Sequence, residues 1–224
     1  MKLSIIVPIL NEAHELPGLL EQLLSLVRQG TEVIIADGGS HDGCADIAEG
    51  AGFAVVRAVR GRARQMNAAA ALATGDILLF LHADTRLPRE ATTWITQALT
   101  GNKHAWGRFD VYINGRPAML RVISRMMNLR SRLTGIATGD QAIFVTRRAF
   151  DAVGGFPDQA LMEDIEFSKR LLSLSRPACL VRCVTTSGRR WETEGVWHTI
   201  FLMWRLRWNY WRGVPAQQLA KDYR

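Results

Sequence analysis

The chain has 224 residues, 48% of them apolar, with a mean hydropathy near zero; this suits one sizeable buried core and excludes a disordered polymer. Its 28 basic residues against 21 acidic ones give a formal charge of +7, which favours anionic partners such as phosphorylated small molecules, acidic lipid or nucleic acid. Three cysteines without CxxC spacing argue against a disulfide frame or a zinc site and fit reduced thiols in a cytoplasmic protein.

Leu3–Pro8, rich in Ile and Val, reads as a buried strand, and Leu16, Leu19, Leu20, Leu23 and Leu24 follow at helical spacing. Glu32–Ala36 is a second strand, ending in Asp37-Gly38-Gly39-Ser40. Asp42 is placed to cap a helix reaching about Gly50. Phe53–Val56 is a third strand, Gly61 opens an Ala-rich helix to Thr74, and Ile77–Leu81 is a fourth strand. Beyond Pro88 the spacing predicts a helix over 89–100, a strand Trp106–Ile113 and a helix over 117–133. A strand near Ala142–Thr146, a helix over 161–174, short strands near 178–187 and a last helix over 192–212 complete the chain. The N-terminal apolar run is too short for a signal peptide, and no stretch is apolar enough to span a bilayer.

Strands alternating with helices define an α/β fold with a mostly parallel sheet covered on both faces. One domain is expected over 1–224, in two halves over about 1–87 and about 88–188, with a C-terminal helix over about 189–224. Ligands on such sheets sit at the carboxyl ends of strands, so each cluster following a strand is a site candidate. Asp37 suits either a ribose or base contact or an Asx turn. Arg62 and Arg64 at a helix start suit a phosphate. His82 and Asp84, two apart on extended chain, can face one ligand, with Asp84 suited to Mg²⁺ or Mn²⁺ and His82 to Mn²⁺ or a phosphate oxygen. Glu163 and Asp164 open a helix, where acids are favoured electrostatically, and they also offer a general base.

In order and spacing, IIVPILNE, VIIADGGSHDG, GRARQMNAAAALATGDILLFLHADT, GDQAIFVTRRAFDAVGGFPDQALMEDIEFSKRL and GRRW resemble the family 2 inverting glycosyltransferases, over residues 4–191. The resemblance implies a GT-A fold and transfer from a UDP- or GDP-sugar to an acceptor hydroxyl, with a divalent metal. It places Pro8, Asn11, Glu12, Asp37, Arg62, Arg64, Gln65, His82 and Ala83 on the donor side. Asp84 matches the last acid of the D-x-D metal motif, and His82 replaces its first. Asp164 matches the catalytic base, with Glu163 the second candidate. Gly139, Asp140 and Gln141 would line the acceptor side. Arg190 and Trp191 match the end of a Q-x-x-R-W motif in which Ser187 stands for Gln. Two other classes stay open: a nucleotidyltransferase, whose Gly-rich first loop is missing, and a non-catalytic basic membrane-associated protein.

On the 192–212 helix, Trp197, Phe201, Trp204, Trp208 and Trp211 share one face, and Leu202, Met203, Leu206 and Tyr210 the other, with Arg205, Arg207 and Arg212 between them. The 117–133 helix groups Met119, Leu120, Val122, Ile123, Met126, Met127, Leu129 and Leu133 opposite Arg121, Arg125 and Arg132, and Arg130 interrupts its apolar side. Core packing, a homodimer contact and peripheral contact with the inner face of a membrane all fit such helices. No nucleic-acid motif is present, so no nucleic-acid partner is expected.

Overall fold

Leu3–Ile9 forms β1, and all seven of its residues are buried, as expected of a strand covered on both faces. A computed structural model describes residues 1–101 and 103–223. After β1 come α1 (Leu16–Val27), β2 (Glu32–Asp37), α2 (Cys44–Gly50), β3 (Ala54–Arg57), α3 (Arg62–Leu72) and β4 (Ile77–Phe80). The second half comprises β5 (Thr85–Arg86), α4 (Ala91–Leu99), β6 (Trp106–Asn114), α5 (Met119–Thr134), a 3-10 turn at Gly139–Gln141, β7 (Phe144–Thr146), α6 (Arg147–Ala152), α7 (Glu163–Leu172) and β8 (Ala178–Ser187). α8 (Arg189–Thr193), α9 (Val196–Trp211) and α10 (Ala216–Asp222) close the chain.

The eight strands form one sheet in the order β3-β2-β1-β4-β7-β6-β8-β5. β3, β2, β1 and β4 are parallel, β7 runs antiparallel to both its neighbours, β8 is parallel to β6, and β5 is antiparallel to β8. The chain leaves β1 toward β2 and β3 and then returns on the other side of β1 as β4. The carboxyl ends of β1 and β4 therefore flank a topological switch point, where open sheets leave a crevice.

Side chains alternate along β1. Leu3, Ile5, Val7 and Ile9 join α1 and Phe109 in one core, while Ile6 joins α3 and the phenylalanines in another. In that second layer Phe156 stacks on Phe167 with centroids 4.0 Å apart and meets Phe80 edge-on at 4.7 Å. A third cluster seats α9 and α10 on the start of α7, through Leu202, Leu206 and Leu219 against Met162 and Ile165.

Several expectations need correction. Asp42 is not the cap of α2; Gly43, at φ 80°, holds that position, and Asp42 instead accepts the N–H groups of Ala13 and Cys44. β7 begins only at Phe144, because Ala142 is in a left-handed turn at φ 48°. The pieces near 178–187 are one strand, with a register shift opposite Phe109 and Asp110. The 192–212 helix is two, broken at Gly195 with φ 85°, and α10 follows it. On α5 the buried stripe is the more polar one, with Leu120, Ile123, Ser124 and Ser131 buried, whereas Val122, Met126, Leu129 and Leu133 are exposed. The reason lies in β6: Ser124 accepts the N–H of Ile113, and Asn128 bonds both the N–H and the carbonyl of Val111, so α5 satisfies a strand's polar backbone with its own polar side chains.

Candidate active site

At the carboxyl end of β1 lies a cleft of about 580 Å³, walled by Pro8 and Glu12, by Arg62 and Arg64 at the start of α3, by Glu163, and by Tyr223 from the C-terminal segment. Not every predicted donor residue reaches it. Asp37, 4% exposed, accepts the N–H groups of Gly39 (3.2 Å) and Ser40 (3.1 Å) and the Ser40 hydroxyl, forming its own turn. Asn11, at φ 56°, accepts the N–H of His41 at 2.9 Å and ties the β1–α1 loop to that turn. Gln65 is buried and donates to the carbonyls of Ile9 (2.7 Å) and Ala36 (2.8 Å), bracing the ends of β1 and β2. Of the three only Gln65 lines the cleft, while Asp37 and Asn11 hold the neighbouring turn and loop.

The charged groups are arranged around Arg62. Its Nη1 lies 3.3 Å from Glu163 Oε1, and Glu163 is buried. Burial works against the Arg62 charge, but Glu163 outweighs it and holds the guanidinium firmly protonated. Arg64 instead pairs with Asp158 at 2.7 Å, toward solvent. Next along the chain from Glu163, Asp164 accepts the backbone N–H of Gly139 (2.9 Å) and of Ile165 (2.7 Å). Burial, and then the Glu163 charge, push the Asp164 carboxyl above the usual range, against the pull of the Gly139 N–H and Arg62.

His82 turns toward the second half of the chain, with Nδ1 3.4 Å from Asp140 Oδ1. Its ring packs so closely on Gly139 that no Cβ fits there. Burial raises the Asp140 carboxyl, but hydrogen bonding and charge from His82, with Arg62 behind, bring it below the usual range. Gln141 is buried, accepts the N–H of Thr138 and donates to Asn128, so it supports the turn. Ala83 is buried, and its carbonyl accepts from Arg86 at 3.0 Å.

Asp84 Oδ1 accepts the hydroxyl of Thr85 at 3.2 Å. Near it, Glu12 is pushed up by burial, pulled down by Arg189 at 3.7 Å, and raised again by Asp84. Glu12 Oε2 is buried and has no hydrogen-bond partner among the described residues. That oxygen faces Arg189, and Asp84 is near enough for its charge to act on Glu12; carboxylate oxygens of this kind could hold a divalent cation. Among the described residues no group of three or more His, Cys, Asp or Glu side chains assembles a metal cage.

Arg190 donates to the Tyr223 carbonyl at 2.9 Å, and its guanidinium lies 3.8 Å from the centre of the Tyr223 ring. It also pairs with Glu194 at 3.1 Å, while Trp191 packs partly buried on the first core. Arg190 thus ties the C-terminal segment, whose Tyr223 lines the cleft, to α8. Sequence reasoning missed Tyr223 and Arg189. Arg189 was signalled only by its place in the GRRW run, and nothing near Tyr223 marks it.

The chain matches the family model "Glycosyl transferase family 2" over residues 4–154, more than half its length. It belongs to glycosyl transferase family 2. It is 30% identical over 152 residues to the undecaprenyl-phosphate 4-deoxy-4-formamido-L-arabinose transferase of Serratia proteamaculans, a match covering 62% of this chain and 46% of that protein. The chain therefore spans about half the length of this curated relative. Among solved structures it shares the fold of S. aureus TarS 1-349 in complex with UDP, with a TM-score of 0.67, 21% identity, and 84% of this chain and 60% of that one covered. It also shares the fold of the mannosyltransferase PcManGT from Pyrobaculum calidifontis in complex with GDP-Man and Mn²⁺, with a TM-score of 0.67, 20% identity, and 92% and 60% covered. These likenesses cover more of the chain than the family-model match does.

Proposed function

We propose that the protein moves a sugar from a nucleoside-diphosphate sugar to an acceptor hydroxyl by direct displacement with inversion. The observation that carries this reading is the meeting of Arg62 with Glu163 across one cleft, with Asp164 next in the chain. The UDP and GDP-Man in the fold neighbours support a nucleotide-sugar donor, and the Mn²⁺ beside GDP-Man supports a metal at Asp84.

In this reading the cleft takes the nucleotide, with Pro8 and Glu12 on one wall. Arg62 leaves Glu163 to meet the diphosphate, a charge-assisted contact of greater strength than an exposed ion pair. Asp164 takes the proton from the acceptor hydroxyl as its oxygen bonds to the anomeric carbon, while the bond from that carbon to the diphosphate breaks. The divalent ion held by Asp84 would supply positive charge to the leaving diphosphate. Gly139 and Asp140 stand on the acceptor side, with Asp140 fixed by His82.

Peripheral membrane contact belongs to the same proposal. Trp197, Phe201, Trp204, Trp208 and Trp211 are between 58% and 76% exposed, a row of aromatics along α9 suited to the headgroup region. Among the described residues no helix is long and apolar enough to cross a membrane. A relative that acts on undecaprenyl phosphate is consistent with work at a bilayer surface. A thermal-shift screen of UDP-, GDP- and dTDP-sugars with and without Mn²⁺ tests the donor assignment: one donor should raise the melting temperature, and more so with metal. Indifference to every donor contradicts it.

A further inference from the structure

Arg130 interrupts the apolar side of α5, next to the exposed row of Val122, Met126, Leu129 and Leu133. Its Nε and Nη2 atoms are nevertheless shut off from solvent, with no hydrogen-bond partner among the described residues. From α9, half-buried Arg207 comes close enough for the two charges to repel. It too makes no ion pair within 4.0 Å among the described residues. Burial, then Arg207, bring Arg130 down to about 10, and burial likewise lowers Arg207.

The nearby acids offset the two charges only in part, since both guanidinium groups stay below their ordinary value. Both arginines feel the charge of Asp164, and Arg207 also feels that of Asp140. Asp140, however, is engaged with His82, and Asp164 with two backbone N–H groups. Arg130 thus keeps two buried donors open, with the Arg207 charge near enough to oppose its own and Asp164 near enough to act on both. Unsatisfied buried donors and uncompensated like charges are costly, and a site that retains them is explained when a ligand brings the missing charge. Two guanidinium forks match the charge and oxygen geometry of a phosphate monoester dianion.

Resting on the assignment of Asp164 as the base, we propose that Arg130 and Arg207 together bind a phosphate group carried by the acceptor. Arg62, paired with Glu163 in the donor cleft, is assigned to the donor diphosphate and is not counted in this site. The phosphate belongs either to a soluble phosphorylated acceptor or to a lipid headgroup presented along the exposed aromatic row of α9, which carries Arg207 in the same helix.

The test is calorimetric titration of inorganic phosphate, with flotation on phosphatidylcholine vesicles with and without phosphatidic acid. Both are run on the wild type and on the Arg130→Gln, Arg207→Gln and Arg62→Gln proteins. A soluble source predicts phosphate affinity about tenfold or more weaker in the first two variants and little changed in Arg62→Gln. A lipid source predicts loss of the phosphatidic-acid-dependent flotation in the same two variants. Either result supports the site. Phosphate affinity and flotation both indifferent to Arg130 and Arg207, or a loss confined to Arg62→Gln, overturns it. Arg130→Met separates ligand binding from folding: it should melt no lower than the wild type without phosphate, because it removes an unmatched buried charge. A large drop in melting temperature for both Arg130→Met and Arg130→Gln would make Arg130 a packing residue and overturn the proposal. Nucleoside diphosphate binding, measured in the same proteins, should depend on Arg62 alone; failure of that arm tells against the donor reading and leaves the phosphate site to its own result.

Discussion

Asp164 Oδ2 accepts the backbone N–H of Gly139 at 2.9 Å, and the ring of His82 rests on the same glycine. One residue thus couples the acid at the start of α7 to the strand end that carries His82 and Asp84. The position of the proposed base depends on both halves of the sheet.

The raised Asp164 carboxyl sets a pH dependence. A base must be deprotonated to act, so kcat/KM should rise with pH through an apparent value above the ordinary aspartate value of about 4. Because the Glu163 charge contributes to the rise, Glu163→Gln should move that acid limb to lower pH. A pH–rate profile of both proteins checks this, and an unmoved limb would remove Glu163 as its cause.

Stability should depend strongly on Asp110. Arg108 is 0% exposed and pairs with Asp110, which also accepts from Arg132 at 2.6 Å. Asp110→Ala leaves the Arg108 charge buried without a partner and should cost about 3–5 kcal/mol. Denaturant unfolding measures the loss, and a change below about 1 kcal/mol would show that water reaches Arg108.

Glu32 should make the protein sensitive to acid. Burial raises its carboxyl, but hydrogen bonds from Ser4 and Thr74 outweigh that and bring it below its ordinary value. A depressed folded value gives stability that is fully present above the unfolded value and lost as pH falls through the folded one. Melting temperatures taken downward from pH 6 should therefore fall less steeply in Glu32→Gln than in the wild type. Parallel curves would contradict the assignment.

The exposed row on α9 predicts binding to bilayers. Trp fluorescence should shift to the blue on anionic vesicles, and the joint change Trp204→Ser with Trp208→Ser should weaken binding about tenfold or more. Equal binding by that double variant would assign the row to another partner.

Element types through β4 were legible, because both-face burial produces unbroken apolar runs such as Ile77–Phe80. The break at Gly195 was harder to foresee, since the aromatic spacing continues regularly only beyond it. The α5 stripe misled for a physical reason: β6 presents backbone polar groups, and the helix meets them with Ser124 and Asn128 while its apolar row faces outward. Arg62, named from motif order, lines the cleft, and Asp164, named in the same way, follows Glu163 of its wall. Asp37, Asn11 and Gln65 carry the right chemistry for a ligand, yet they spend it on turns and strand ends, which spacing alone does not reveal. Arg130 announced itself by interrupting an apolar face, and only the approach of α9 gave it a neighbour of like charge.

The central claim, that Asp164 is the base of an inverting transfer, is tested most directly by Asp164→Asn with the donor identified by thermal shift. Donor affinity and nucleoside diphosphate release are measured on the same protein. The expected result is affinity within about twofold of the wild type and release slowed by roughly 10²–10⁴. Near-normal release, or loss of donor binding together with activity, would contradict it.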